Sequence, residues 1–406
     1  MSDSALDAAA ASLPSSTPRT PRTAAAPRAQ SEARAESAGK EHVIDAMRGF
    51  AALLVAYFHC RQVEWVGMQA FHQSVGHAIN LNSLAAYLTF PIAWGSAGVP
   101  IFFVISGYCI HRGGALRLAG NPAYRLDSAN FWIRRFARIY PVLLAALVLT
   151  FALDWYSLQL TPVSHKIREI GWQAFLVNLF SLQGVAGKTF GSNGALWTLS
   201  LEVQFYAIYP LLFALRRRIG MTSVLALIAL VNVVSAYVLE RHDIQFFTSY
   251  WFAWTLGAWI ADAKAHGAPN ARSSVWLYVL AAGFIALGCT AFHFGQYGAF
   301  QLWAVGFAFY LYKALDRRNG NPRESAGLRL LSRFGDFSFS LYLIHLPIFV
   351  LLSSQLFRSA LQTSIWPSFG YMLVAVPVAY VFYRLVELPA MKWSASFKPK
   401  AALKQA

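Results

Sequence analysis

The sequence predicts an all-α fold, a polytopic transmembrane helix bundle of about ten spans with both termini in the cytoplasm. Composition is the first observation behind this prediction. The 406 residues are 57% hydrophobic and only 13% charged, whereas a typical soluble domain carries about 25% charged residues. The second observation is a series of long apolar runs, and the third is that basic residues collect in the loops between those runs.

The apolar runs account for the ten predicted spans. Each approaches or meets the roughly 17–25 residues that cross a bilayer. A further run, "WQAFLVNLFSLQ" at 172–183, is short and polar enough to predict a re-entrant or interfacial helix instead of a span. The ten runs lie at roughly 44–60, 91–111, 139–155, 195–215, 221–239, 246–262, 275–293, 299–315, 337–354 and 368–387.

Loop charge predicts the orientation of the bundle. With the N-terminus inside, the inner segments contain 27 Lys and Arg residues and the outer segments contain 6, as the positive-inside rule requires. If 172–183 crossed the membrane, the "RRR" at 216–218 would lie outside, so the charge distribution favours ten spans. The same loop charges explain the net charge of +16 without nucleic-acid binding. A nucleic-acid-binding protein would carry its basic residues along one face or stripe.

Both tails differ in composition from the span region at 41–390. Residues 1–40 are rich in Ala, Ser, Pro and Arg and predict a disordered cytoplasmic tail, without the apolar core of a secretory signal. Residues 391–406 form a basic cytoplasmic tail. Cys60, Cys109 and Cys289 are too few and too widely spaced for a disulfide framework or a metal site, so we expect buried small hydrophobes and no metal.

The stretch "AMRGFAALLVAYFHC", residues 46–60, contains two polar side chains that a lipid-facing helix would not need. Arg48 and His59 are eleven positions apart, which returns them to within ~20° of one helix face and separates them by ~16 Å along the axis. Asp45 precedes Arg48 by three residues and can pair with it. Taken singly, Arg48 could be a snorkelling interfacial arginine and His59 a hydrogen-bonded histidine near the membrane edge. Because ionisable groups in spans usually face a bundle interior, their shared face favours a functional site.

The stretch "FWIRRFARIYP", residues 131–141, predicts an anion site. Arg135 and Arg138 are one helical turn apart, so their guanidinium groups can converge on one phosphate. The alternative from spacing alone is a positive-inside anchor, the role we assign to Arg134.

Glu202 lies seven residues into the run "ALWTLSLEVQFYAIYP" at 195–210. A carboxylate within a span needs a partner, for which Arg48 or His59 is a candidate. A purely structural ion pair is the alternative.

Three other polar positions in predicted spans have less specific interpretations. Ser106 and Gly107 predict close helix packing by small residues. His345, in "FSLYLIHLPIF", fits a packing role and a site role equally well. Glu387, in "RLVELP", is expected to pair with a basic residue such as Arg384.

Together these motifs resemble the signature of the membrane acyltransferase-3 family. "DAMRGFAALLVAYFH" is similar to its first-span motif, an Arg and a His separated by ten residues. "GVPIFFVISGYCI", "RRFARIYP", "LWTLSLEVQFY", "FSLYLIHLPI" and "VELP" resemble its later motifs in the family's order. The resemblance runs from about residue 44 to 390. Leu388 departs from it, because the last motif commonly has lysine there.

The resemblance implies a bacterial inner-membrane O-acyltransferase of about ten spans, in a stand-alone form without an esterase-like domain. Such enzymes move an acyl group, most often acetyl from acetyl-CoA, to a hydroxyl of a carbohydrate such as lipopolysaccharide, exopolysaccharide or peptidoglycan. By this likeness Arg48 and His59 match the family's essential pair, Arg135 and Arg138 match arginines associated with the CoA donor, and Glu202 matches an acid in a later span. The implied partners are an acyl-CoA donor, a carbohydrate acceptor and the lipid bilayer.

Two other classes of protein remain as alternatives. A transporter or flippase would use Arg48, His59 and Glu202 as an ion relay, and many transporters contain inverted repeats, whereas the second half of this chain does not repeat the Arg–His spacing. A glycosyltransferase or polymerase would favour a large outer loop with clustered charges, and the predicted outer loops at 61–90 and 156–194 have few.

Overall fold

A computed structural model describes residues 26–76, 79–268, 274–316 and 326–397 of the chain. Within these ranges the chain is helical apart from loops and two isolated β-bridges, so the predicted all-α class is confirmed. The predicted disordered tail at 1–40 lies largely outside the described residues, and the first helix begins at Ala26. The fifteen α-helices are α1 Ala26–Glu64, α2 Met68–Val75, α3 Leu81–Leu88, α4 Gly98–Gly120, α5 Ser128–Ser157, α6 Trp172–Leu179, α7 Leu196–Ile219, α8 Met221–Leu239, α9 Trp251–Ala265, α10 Trp276–Ala291, α11 Gln296–Ala314, α12 Ala326–Asp336, α13 Ser338–Phe357, α14 Trp366–Phe382 and α15 Leu388–Ser396.

Seven helical segments of the described chain are long and apolar enough to cross a bilayer. Each predicted apolar run coincides to within a few residues with a helix, extended in some cases by an adjoining 3₁₀ or π turn, but α9, α10 and α11 are not among the seven. The total of ten spans and the cytoplasmic termini therefore stay predictions. The seven segments are His42–Glu64, Leu81–Gly120, Ser128–Ser157, Leu196–Ile219, Met221–Leu239, Ser338–Phe357 and Trp366–Ser396.

The run at 172–183 forms only the eight-residue helix α6. At a rise of ~1.5 Å per residue it extends for about 12 Å, well short of a hydrocarbon core of about 30 Å. The sequence prediction that this segment does not span the membrane agrees with this length.

Helix α1 lies at the centre of the bundle and packs against α4, α12, α13 and α14. Its crossing with α12 is very close, because a Cβ atom at Gly49 would lie 2.0 Å from the carbonyl oxygen of Leu331 and one at Gly335 would lie 2.0 Å from that of Asp45. Only glycine allows this approach. The crossing brings the segment of α1 around Gly49, next to Arg48, against α12.

The α4–α9 crossing is equally close and confirms the packing predicted for Gly107. A Cβ atom at Gly107 would lie 1.8 Å from the carbonyl oxygen of Trp254, and one at Gly257 would lie 1.8 Å from that of Val104. Small residues at a helix crossing let the backbones meet and gain dispersion contacts. This crossing fixes the depth of the neighbouring Ser106, which faces the interior of the bundle.

Candidate active site

A cavity of about 290 Å³ lies between α1, α4, α5, α7, α12 and α13. Four of the five site residues predicted from the sequence line it: Arg48, Arg135, Arg138 and Glu202. The fifth, His59, does not line it. The helices therefore bring the three arginines and the acid together although they are far apart in the sequence.

Arg48 lies at the end of the cavity that carries the three arginines, and the carboxyl groups of Asp45, Asp336 and Glu387 also line the cavity. The Arg48 guanidinium group donates to Asp45 Oδ1 at 3.2 Å, which confirms the predicted pairing within α1, and to the Cys109 sulfur atom at 3.3 Å. Cys109 also lines the cavity. The expectation that all three cysteines only fill space is therefore wrong for Cys109, because the α1–α4 contact places its thiol in a polar environment.

Arg135 and Arg138 line the same end from α5, whereas the neighbouring Arg134 is exposed. The Arg135 guanidinium lies 5.7 Å from the ring centre of Phe131 and 5.9 Å from that of Tyr206, distances at which a ring face attracts a cation. Within the described ranges, neither Arg135 nor Arg138 forms an ion pair with a carboxylate. Both guanidinium groups therefore keep donors for an anionic ligand, which they can bind in bidentate fashion.

Glu202 lies midway along the cavity, and its hydrogen-bond partners differ from the predicted ones. The Tyr206 hydroxyl donates a short hydrogen bond to Glu202 Oε1, and Ser106 Oγ donates to the same oxygen at 3.1 Å. The prediction of an ion pair with Arg48 or His59 is wrong, because neutral donors one turn away on α7 and across on α4 satisfy the carboxylate. Trp254 Nε1 in turn donates to Ser106 Oγ at 3.2 Å.

The other end of the cavity is lined by a hydrogen-bonded pair of side chains. The hydroxyl groups of Thr198 and Tyr342 lie 2.6 Å apart, and both residues line the cavity. Beyond them, the ring centre of Tyr342 is 5.9 Å from that of His345.

His345 connects this end of the cavity to His59. His345 Nε2 lies 2.8 Å from His59 Nδ1, and His345 is fully buried whereas His59 is partly exposed. The interpretation that Arg48 and His59 share one site therefore needs correction. Arg48 lines the cavity, whereas His59 bonds to His345, which lies beside the lining residue Tyr342 and does not itself line the cavity.

A π-helical turn, Tyr383–Glu387, joins α14 to α15 and places both of its end residues on the cavity wall. Glu387 accepts hydrogen bonds from Ser340 N at 3.1 Å and from Ser340 Oγ at 2.5 Å. The predicted partner Arg384 bonds instead to the Tyr380 hydroxyl at 3.1 Å. The wider π turn rotates successive side chains differently from an α-helix, and such turns are frequent at functional sites.

The structure adds four residues that were not among the predicted site residues: Ser106, Tyr206, Tyr342 and His345. Two of them had a signal in the sequence. Tyr206 follows Glu202 by four residues and His345 follows Tyr342 by three, spacings that place both members of a pair on one helix face. The partnership between His345 and His59 had no such signal, because it joins helices that are distant in sequence.

Comparison with known proteins identifies the family of the chain. The family model described as an acyltransferase domain matches residues 41–384. The chain belongs to the membrane acyltransferase-3 family. The matched range includes every residue that lines the cavity except Glu387 and Met391.

Three curated relatives illustrate the range of the family. The chain is 25% identical to O-acetyltransferase OatA of Staphylococcus aureus over 332 residues, which are 74% of this chain and 53% of the relative. It is 27% identical to acyltransferase MdmB of Streptomyces mycarofaciens over 176 residues, 43% of this chain and 39% of the relative. It is 25% identical to nodulation protein 10 of Rhizobium leguminosarum over 218 residues, 51% of this chain and 53% of the relative.

In each of these three matches the chain spans less than two thirds of the relative's own length. No solved structure matches the chain.

Proposed function

We propose that this protein is an integral membrane O-acyltransferase of the bacterial inner membrane. In this proposal it moves an acyl group, most readily acetyl, from cytoplasmic acyl-CoA to a hydroxyl group of a cell-envelope or secreted carbohydrate. One observation carries the proposal: a cavity with three arginines at one end leads, through one layer of side chains, to a hydrogen-bonded histidine pair at the other. An anion site and a basic nitrogen at opposite ends suit transfer from a phosphorylated donor.

The donor would enter at the arginine end. Ligand pockets for drug-sized molecules occupy roughly 300–1,000 Å³, so a cavity of about 290 Å³ suits an acyl thioester and part of its pantetheine arm. The nucleotide of the donor would then remain at the mouth, where Arg135 and Arg138 would bind its phosphates. Arg48 and Glu202 would line the path of the arm, with Glu202 as an acceptor for its amide N–H groups.

His59 is the proposed catalytic residue, and two routes are open to it. As a general base, it takes the proton of the acceptor hydroxyl while that oxygen attacks the thioester carbonyl carbon. The carbon–sulfur bond then breaks, and the CoA thiolate recovers the proton from the imidazolium. As a nucleophile, it attacks the thioester carbonyl carbon and releases the CoA thiolate. In a second step the acceptor oxygen attacks the acyl carbon, the carbon–nitrogen bond breaks, and the hydroxyl proton passes through the freed imidazole to the thiolate.

Either route requires the donor to pass Tyr342, because Tyr342 lines the cavity and its ring lies beside that of His345. The loop charges predict that His59 lies toward the outer face, which would give an external carbohydrate access to the same residue. The relatives that are named acyltransferases and O-acetyltransferases support the chemistry proposed here.

The test uses the full chain in proteoliposomes with acetyl-CoA labelled in the acetyl group. Membrane glycans from the host strain serve as acceptors, and transfer of label to glycan is the expected result. His59→Ala should abolish transfer at normal protein levels. His72→Ala is the matched control, because His72 is exposed on the short helix α2 and does not line the cavity.

Normal transfer by His59→Ala would contradict the role of His59. A chain that turns over no acyl-CoA, but moves a labelled glycan intermediate across the vesicle membrane, would support the transporter alternative instead.

A further inference from the structure

The two histidines beyond the cavity are arranged so that the protonation state of one ring determines that of the other. His345 Nδ1 lies 2.9 Å from the carbonyl oxygen of Leu341. A carbonyl oxygen only accepts hydrogen bonds, so Nδ1 of His345 must carry a hydrogen. In a neutral imidazole the second nitrogen is then an acceptor, and Nε2 of His345 presents its lone pair to His59.

The contact between the rings has the geometry of a straight hydrogen bond. The planes of His59 and His345 differ by 10°, and their centres are 5.1 Å apart. A ring nitrogen lies about 1.15 Å from the centre of an imidazole, so two rings joined end to end by a bond of about 2.8 Å would have centres about 5.1 Å apart. The rings therefore meet edge to edge in one plane, with the N–H of one pointing at the lone pair of the other.

From this geometry we infer that His345 is a positioning residue, which holds His59 in the tautomer with hydrogen on Nδ1 and leaves His59 Nε2 as the working nitrogen. This inference rests on the proposed acyl transfer and deepens it by naming the atom. Within the described part of the chain, Nε2 of His59 has no protein hydrogen-bond partner, so its lone pair is available to a substrate. In the base route Nε2 receives the hydroxyl proton, and in the nucleophile route it bonds to the acyl carbon.

His345 also stabilises the product of that step. When Nε2 of His59 is protonated or acylated, the ring carries a positive charge, and its Nδ1–H becomes a stronger donor to His345 Nε2. His345 remains neutral, because its own Nδ1–H stays bonded to the Leu341 carbonyl. The fully buried position of His345 keeps water from competing for the same lone pair, which preserves the orientation of the His59 ring.

A matched pair of substitutions separates positioning from packing. The side-chain amide of His345→Gln reaches the position of Nε2, so its oxygen can accept from His59. The amide of His345→Asn ends near the position of Nδ1, so it can bond to the Leu341 carbonyl but cannot reach His59. Loss of a side chain that orients a metal-bound histidine typically costs 10- to 100-fold in activity, and we expect the same order of magnitude for His59. We expect kcat of the Asn variant to fall by about that factor with an unchanged donor KM, and the Gln variant to recover most of it.

The second measurement does not depend on activity. In protein labelled with ¹⁵N-histidine, the His59 signals are those that disappear in His59→Asn. The inference requires a protonated Nδ1 and an unprotonated Nε2 in the wild type, and loss of that preference in His345→Asn. Equal kcat for His345→Asn and wild type, equal impairment of both variants, or a wild-type His59 with hydrogen on Nε2 would each overturn it.

The two proposals can fail separately. A wild-type chain that transfers no acyl group would refute the proposed function, while the ¹⁵N signals would still decide the tautomer.

Discussion

Removal of one arginine from the cavity offers the sharpest test of donor binding. Arg138 lines the cavity, whereas Arg134, one helical turn away on α5, is exposed. Alanine at either position removes the same charge from the same segment of helix. Only Arg138→Ala removes a guanidinium group from the cavity, so the pair separates direct contact from general attraction.

The expected size of the effect follows from the missing contact. A hydrogen bond to a charged group contributes about 1.5–3 kcal/mol, which corresponds to roughly a 10- to 150-fold change in affinity. Arg138 has no carboxylate partner in the described part of the chain, so its loss should leave few groups unpaired in the donor-free protein. Arg134 acts only through solvent, where charges about 10 Å apart are largely screened at 0.1 M salt, so Arg134→Ala should change affinity by less than about twofold.

The assay is the initial rate of label transfer from acetyl-CoA in proteoliposomes, with the donor titrated at a fixed acceptor concentration. We expect Arg138→Ala to raise the donor KM by the factor given above with little change in kcat. A parallel titration with acetyl-3′-dephospho-CoA tests which phosphate is bound. If Arg138 binds the 3′-phosphate, the losses from the substitution and from the missing phosphate will not add.

Equal effects of Arg134→Ala and Arg138→Ala on the donor KM would refute direct contact between Arg138 and the donor. Arg138 would then be a positive-inside anchor like Arg134. A fall in kcat with an unchanged donor KM would place Arg138 in the transfer step instead of in donor binding.

Two further predictions concern the packing that supports the cavity. Gly107→Ala would place a Cβ atom about 1.6 Å short of ordinary contact with the carbonyl oxygen of Trp254, so we expect a loss of 1–3 kcal/mol or more, seen as a lower melting temperature in detergent. Gly113→Ala, in the same helix but with nothing within 4 Å of the added atom, should be neutral or stabilising, and an equal loss at both positions would contradict the crossing. Ser340→Ala removes one of two donors to the buried Glu387 and should lower the free energy of unfolding by roughly 1–2 kcal/mol. Ser340→Thr keeps the hydroxyl group and is the control. A melting temperature unchanged in the alanine variant would show that this hydrogen bond contributes nothing to stability.

Local spacing in the sequence was enough to identify the arginine end of the site. Arg135 and Arg138 are one turn apart, and Arg48 has Asp45 three residues before it; these relations follow from helix geometry alone and hold in the structure. Arg134, interpreted from the sequence as a positive-inside anchor, is exposed in the structure. Apolar run length likewise predicted the helical class, because backbone groups in a bilayer must be satisfied within the segment.

Partners across helices could not be predicted in the same way. Glu202 was expected to pair with Arg48 or His59, but it accepts from Tyr206 and Ser106. A buried carboxylate needs hydrogen-bond donors. The sequence shows that Glu202 is such a carboxylate, but it does not show which residues donate to it. The choice depends on where α4 lies relative to α7, and this placement is set by the packing of helices that are distant in sequence, such as the close α4–α9 crossing at Gly107 and Gly257.

The sequence by itself determined which side chains are polar within apolar helices, which of them share a helix face, and which loops are basic. Only the tertiary structure decided that Arg48 opens into the cavity, that His59 lies beyond it, and that His345 joins His59 in one plane. The physical reason is that helical periodicity fixes direction along one helix, whereas contact between α1 and α13 depends on the packing of the whole bundle.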